Sequence, residues 1–175
     1  KVHDGLVKAI EPGMSTLDID RLGEKLIRGY GCIPNFLHYN GYPASVCVSV
    51  NDEVVHGIPR ADRILQEGDI VSLDAGLIYK GYHSDSAKTH GVGIISEEDR
   101  KLIEVTKESF YEGLKFAKLG CRLSDISHAI QTHVEKNNFS VVRDLVGHGI
   151  GTQLHEDPQI PNFAQKKRGL RLEPG

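Results

Sequence analysis

The order of apolar and polar positions predicts helices and strands in turn. Val2, Leu6, Val7 and Ile10 fall at helical spacing, and Glu11-Pro12-Gly13 stops them. Ser15 offers an N-cap with Asp18 three residues on, and Leu17, Leu22, Leu26 and Ile27 form an apolar face as far as Gly29. Cys32 to Gly41 is aromatic and irregular. Ser45-Val46-Cys47-Val48-Ser49-Val50 alternates as a strand, Asn51-Asp52 turns, and Glu53-Val54-Val55-His56-Gly57 is expected to return beside it. Ile64 to Gly68 is a short connection. Ser96 opens a long helix with Leu102, Ile103, Val105, Phe110, Leu114 and Phe116 at its apolar positions, ending at Leu119-Gly120. Ser124 opens the next, with Ile126, Ile130 and Val134 inside. Phe139 to Val146 reads as a strand, Gly147-His148-Gly149-Ile150-Gly151 as a glycine-rich break, and Leu154 to Gln165 as a long loop.

The strongest pattern runs from Ile70 to Lys88. Its first half is apolar and β-branched, its middle is a Lys-Gly turn, and its return arm alternates, which predicts a hairpin. A two-residue loop at Tyr79-Lys80 or Lys80-Gly81 sets Asp74 opposite Asp85 or opposite Asp85's second neighbour. Either register puts the two carboxylates on one face of the sheet. Like charges there repel, and Asp74 follows the apolar run Ile70-Val71-Ser72-Leu73, so a neutralising partner is required. A divalent metal is the most economical one.

Composition narrows the classes. The chain has 175 residues, enough for one domain with a sizeable core, and a formal net charge of −3, which gives no sign of nucleic-acid binding. Lys166-Lys167-Arg168 is expected to be a solvated loop. No apolar run approaches a membrane span and no signal peptide is seen. Cys32, Cys47 and Cys121 are odd in number and widely spaced, which favours a reducing compartment over a disulfide framework or a thiolate zinc site. The Gly147–Gly151 break is not a dinucleotide fingerprint, there is no phosphate-binding GxxxxGK[ST] loop, and Cys47 with His56 lacks a third orienting group for thiol catalysis.

Imidazole is the usual companion of a carboxylate pair, and His148, between two glycines, is the best placed. His83 lies on Asp85's side of the return arm and is not excluded as a ligand. An Asp, Asp and His set suits manganese, iron, cobalt or zinc in a hydrolytic site. Two close carboxylates point to a two-metal centre, whose remaining ligands would come from Glu156, Asp157, Glu173 or acidic residues outside this sequence. A faint internal repeat accompanies these features: Gly13 with Leu17-Asp18-Ile19 recurs as Gly120 with Asp125-Ile126.

The stretch from Asn40 to Pro59, NGYPASVCVSVNDEVVHGIP, closely resembles the signature of type I methionine aminopeptidases, and Asp74, Asp85 and Gly147 to Gly151 follow at that family's spacings. The resemblance spans essentially the whole chain. It implies an α+β pita-bread fold with an internal pseudo-twofold repeat: a mostly antiparallel sheet covered by helices on one side, in one domain with halves at about residues 1–95 and 96–175. It implies removal of N-terminal methionine from newly made polypeptides by two divalent metal ions (cobalt, manganese, iron or zinc). Asp85 matches a bridging ligand, Asp74 a chelating one, and His148 the single imidazole ligand. His56 and His155 match the two histidines that hold substrate and stabilise the tetrahedral intermediate. Tyr39, Tyr42 and Cys47 match the walls of the methionine pocket. Phe36 stands where some members have Cys, and Leu154 where an aromatic is common.

The implied partners are nascent polypeptide N-termini near the ribosome, with no nucleic acid and no membrane; the implied full-length form is a monomer in the cytoplasm. The family continues beyond Leu172-Glu173-Pro174-Gly175 to two further Glu ligands, one of them the general base. The sequence therefore reads as truncated at both ends. On its own it is expected to bind metal weakly and catalyse poorly, with Asp74 and Asp85 raised in pKa by mutual repulsion. The rival readings are a non-catalytic pita-bread module that binds peptides or partners, and a prolidase-like peptidase.

Overall fold

The predicted hairpin is the centre of the first half of the molecule. In the computed structural model, which describes residues 1–165 and 169–174, strand β3 (Ile70–Tyr79) runs into β4 (Tyr82–Gly91). The loop is Lys80-Gly81, with both residues at positive φ (51° and 84°), the tight two-residue turn that matches strand twist. Asp74 lies opposite Ala87 and Gly76 opposite Asp85, so Asp74 faces Asp85's second neighbour. On β3's other edge β2 (Val46–Val50) pairs with residues 71–75, and the two-residue strand β1 (Ile33–Pro34) pairs with Leu77 and Ile78. All these pairings are antiparallel.

Alternation gives this sheet two unlike faces. Val46, Val48 and Val50 of β2 and Val71, Leu73 and Ala75 of β3 point to one side, where Val2 and Leu6 of α1 (Val2–Val7) and Ile19 and Ile27 of α2 (Thr16–Gly29) complete a single buried cluster. Each valine, leucine and isoleucine among them contributes about 1.5–3 kcal/mol on burial. Helix α2 starts where the sequence places it: the Ser15 hydroxyl accepts the Asp18 N–H at 3.1 Å. It can lie close on β2 because Gly23 has no Cβ to strike Val46.

The chain divides into two compact units, Lys1–Arg100 with Ile150–Leu154, and Lys101–Gly149 with His155–Gly175. The second holds α3 (Glu97–Leu114, continuing from the first unit), α4 (Leu123–Lys136), β5 (Val146–Gly149) and β6 (Glu156–Pro161). Ile126 and Ile130 of α4 close on Gly113 of α3, and β5 pairs antiparallel with β6 through a register shift at His148/Gly149.

The repeat is structural. Gly13 N–H donates to the Leu65 carbonyl and Leu65 N–H to Met14, both at 2.8 Å; Gly120 donates to Leu172 (3.2 Å) and Leu172 to Cys121 (2.8 Å) at the same spacings. Ser15 bridges Ile64 as Arg122 bridges Arg171.

Several expected elements differ. Glu53 to Gly57 is no strand. Glu53 folds back to accept the Val50 N–H, Val54 and Val55 are exposed, and Gly57 gives its N–H to the Ser49 hydroxyl instead of a ladder partner. The first helix stops at Val7, although Ile10 still packs on the core. Helix α3 ends at Leu114, not Leu119, as the chain tightens into the bonds Phe116 N–H to Gly113 and Ala117 N–H to Leu114. Helix α4 starts from Arg122 and not from Ser124, because Asp125 accepts the Arg122 N–H at 2.8 Å. The stretch from Phe139 yields a strand only from Val146, since Asn138 is left-handed and Val142 and Leu145 are exposed. The expected loop after Leu154 contains β6, whose Pro158 and Pro161 hide it from a strand pattern. The Lys166-Lys167-Arg168 triplet lies outside the described residues.

Candidate metal centre

The face of the sheet turned away from the helices carries Cys47, Asp74, Gly76, His83 and Asp85, all fixed there by register. Asp74 and Asp85 carboxyl groups are within hydrogen-bonding reach of each other. Burial, then the charge of Asp85 and that hydrogen bond, push the Asp74 carboxyl up to about 7. Its Oδ1 is buried with no hydrogen-bond partner among the described residues.

An apolar cluster adjoins the pair: Phe36, Cys47 and Leu154, all under 9% exposed, with Tyr42 packed against them. Tyr42 donates its hydroxyl to the Gly57 carbonyl at 3.0 Å. Burial, opposed by a hydrogen bond with Tyr42 and reinforced by the charges of Asp74 and Asp85, pushes the Cys47 thiol up to about 11. It stays neutral near pH 7, without the thiolate that a nucleophile needs. Tyr39, in the short turn Tyr39–Gly41, is 39% exposed and stands outside this cluster.

His56 is exposed and left-handed (φ 58°), held by Gly57, whose missing Cβ lets the backbone press on the Val48 carbonyl. His83 N–H donates to Gly151 at 2.7 Å, tying Ile150–Leu154 to β4, and its Nδ1 meets the Asn35 amide at 3.4 Å. In the second unit the His148 and His155 rings lie 4.2 Å apart. His148 Nδ1 sits 2.8 Å from the Gly149 carbonyl. A carbonyl only accepts, so Nδ1 carries a proton, the bond that in a metal-ligating imidazole orients the ring for ligation through Nε2. Among the described residues no three His, Cys, Asp or Glu side chains close around one point; the aspartates act as a pair.

The model of metallopeptidase family M24 matches residues 1–175. Methionine aminopeptidase 1 of Bacillus subtilis is 57% identical over 173 residues, covering 99% of this chain and 69% of that protein. The chain belongs to the methionine aminopeptidases of family M24. The crystal structure of the Rickettsia prowazekii methionine aminopeptidase superposes with a TM-score of 0.95 at 37% identity, over 98% of this chain and 69% of the other. That from Thermotoga maritima gives 0.93 at 44%, over 98% and 70%. The fold is therefore the α+β pita-bread fold of these enzymes, and the family implies a divalent metal cofactor. The residues present fit one: buried carboxylate oxygens, with no cationic side chain among the described residues bonded to Asp74, form a hard donor set.

One residue beside the pair had no signal in the sequence. Asn35 follows β1, is 6% exposed, and lies over Gly76, where any Cβ would collide with its Oδ1.

Proposed function

We propose that this chain removes the N-terminal methionine from newly made polypeptides as a metal-dependent exopeptidase. The observation that carries the reading is the juxtaposition on one sheet face: two carboxylates in mutual reach beside a buried, uncharged cluster of Phe36, Tyr42, Cys47 and Leu154. Family membership makes the chain a metallo-exopeptidase; the residue roles are our assignment.

Asp74, Asp85 and His148 would hold two divalent ions. Ions bound there supply the Lewis acidity that makes water a nucleophile at neutral pH and polarises a peptide carbonyl. The protein's own groups do the rest. Phe36, Tyr39, Tyr42 and Cys47 receive an unbranched apolar side chain, which the neutral thiol of Cys47 favours. His155 supports the carbonyl oxygen as charge develops, and His56 holds the following peptide nitrogen. Substrates are nascent N-termini met near the ribosome, by a monomer in the cytoplasm; no helix among the described residues is long and apolar enough to cross a membrane. The prolidase-like reading is not favoured, because the relatives at 57% and 54% identity are methionine aminopeptidases.

Release of methionine from Met-Gly-Met, with and without added Mn(II) or Co(II), tests the reading. Metal-dependent release that falls with Asp85→Asn and exceeds cleavage of Xaa-Pro peptides is expected. Metal binding without any release would move the assignment to a peptide-binding module.

A further inference from the structure

Asn35 is buried at 6% exposure, immediately after the short strand that pairs with Leu77 and Ile78. Its main-chain N–H donates to the Gly76 carbonyl at 3.3 Å, which pins the residue over β3. Its amide Nδ2 donates to the Ser84 carbonyl at 3.3 Å. That carbonyl can only accept, so the orientation of the carboxamide is settled and Oδ1 points the other way. Oδ1 is buried with no partner among the described residues.

Where Oδ1 points follows from Gly76. A Cβ at Gly76 would collide with Asn35 Oδ1 and come within 2.8 Å of its Cγ. Even-numbered residues of β3 project to the carboxylate face, so that missing Cβ, and the oxygen occupying its place, stand on the same face as Asp74, two residues along the strand. Gly76 is also directly opposite Asp85. Asn35 Oδ1 therefore joins the buried, unpartnered Asp74 Oδ1 on one small patch. Burying polar oxygens without a donor is costly, and these two oxygens on one face call for a cation or for the protons of water held by one.

We infer that Asn35 Oδ1 belongs to the coordination shell of the cation centre at Asp74 and Asp85, as a neutral oxygen ligand or as acceptor for a water held there. The inference rests on the metal-centre reading above and adds to it a residue outside its assigned ligands. A neutral amide oxygen beside carboxylates adds a donor without adding repulsion, which suits a site already crowded with negative charge. Gly76 is part of the device, because any larger residue would displace the carboxamide.

Two substitutions separate this role from a merely structural one. Asn35→Ala and Asn35→Asp both lose the Nδ2 donor to Ser84, but only Asn35→Ala loses the acceptor. Mn(II) affinity of the chain and of both variants is measured by titration calorimetry, with the visible spectrum of the Co(II) form as a second readout. We expect Asn35→Ala to bind Mn(II) about 10-fold more weakly, with an altered Co(II) spectrum, and Asn35→Asp to bind at least as tightly as the parent. Equal weakening in both would overturn the inference and reduce Asn35 to a backbone clamp. So would unchanged affinity in Asn35→Ala. If Asn35→Ala does not fold, Asn35→Leu, close in volume and without polar atoms, takes its place. A parent chain that takes up no Mn(II) would bring down the metal-centre reading and the inference with it. Mn(II) uptake without methionine release touches the peptidase reading alone.

Discussion

The two faces of strand β3 differ in what they ask of the fold. Odd positions Val71, Leu73 and Ala75 are buried against helices and β2, and their burial holds the unit together. Even positions Ser72, Asp74 and Gly76 carry hydroxyl, carboxylate and bare backbone, and Asp74 there is held against its preferred ionisation. A step of one residue passes from groups that stabilise the fold to groups that cost stability. The site is strained in charge, not in backbone, and the rigid apolar face beneath it keeps the repelling carboxylates from moving apart.

The largest expected effect breaks the stabilising face. Leu73 is fully buried, and Leu73→Ala should cost about 2–5 kcal/mol by lost burial and residual cavity. Thermal unfolding would read this as a Tm lower by several degrees, with or without metal. A loss of about 1 kcal/mol or less would mean that the face is less closely packed than the cluster indicates.

On the opposite face the sign reverses. The folded Asp74 carboxyl titrates near 7 against an ordinary value of 3.8, so the folded chain binds this proton more tightly than the unfolded chain. Its contribution to stability is fully present below about pH 4 and is lost as pH rises through about 7. Asp74→Asn removes that loss. The metal-free variant should match the parent in acid and exceed it by about 2–4 kcal/mol near pH 8, while losing metal affinity. Unfolding curves of both chains across this range, in chelator, check the difference; a variant less stable than the parent near pH 8 would contradict the charge argument.

These contrasts bear on what a sequence discloses. The hairpin was legible because Ile70 to Lys88 alternates around a Lys-Gly turn that suits only one tight loop, and with it came the shared face of Asp74 and Asp85. The cap at Ser15 was legible for the same local reason, and Ser15→Ala should cost about 1 kcal/mol, measurable by denaturant unfolding. What failed was pattern without a surface to bury it. Val54 and Val55 read as strand yet lie exposed, and β6 read as loop because its prolines mask a ladder with β5. The closeness of the His148 and His155 rings depends on that unseen ladder. Asn35 was illegible altogether: a lone amide in an irregular aromatic stretch acquires meaning only when the pairing of Ile33-Pro34 with β3 sets it over Gly76.

The smallest effect lies on the carboxylate face but away from the carboxylates. Ser72 and Thr89 face each other across the hairpin with their hydroxyls 2.7 Å apart. Each is the other's partner on a half-buried surface, so Ser72→Ala or Thr89→Val alone should cost about 1 kcal/mol by stranding one hydroxyl. The double substitution should cost less than the two single costs added, because no polar group is then left wanting. A double-mutant cycle by denaturant unfolding gives the coupling, expected at about 0.5–1 kcal/mol. Strict additivity would show that both hydroxyls are satisfied by water, and that this end of the face is open to solvent in a way the buried oxygens at Asp74 and Asn35 are not.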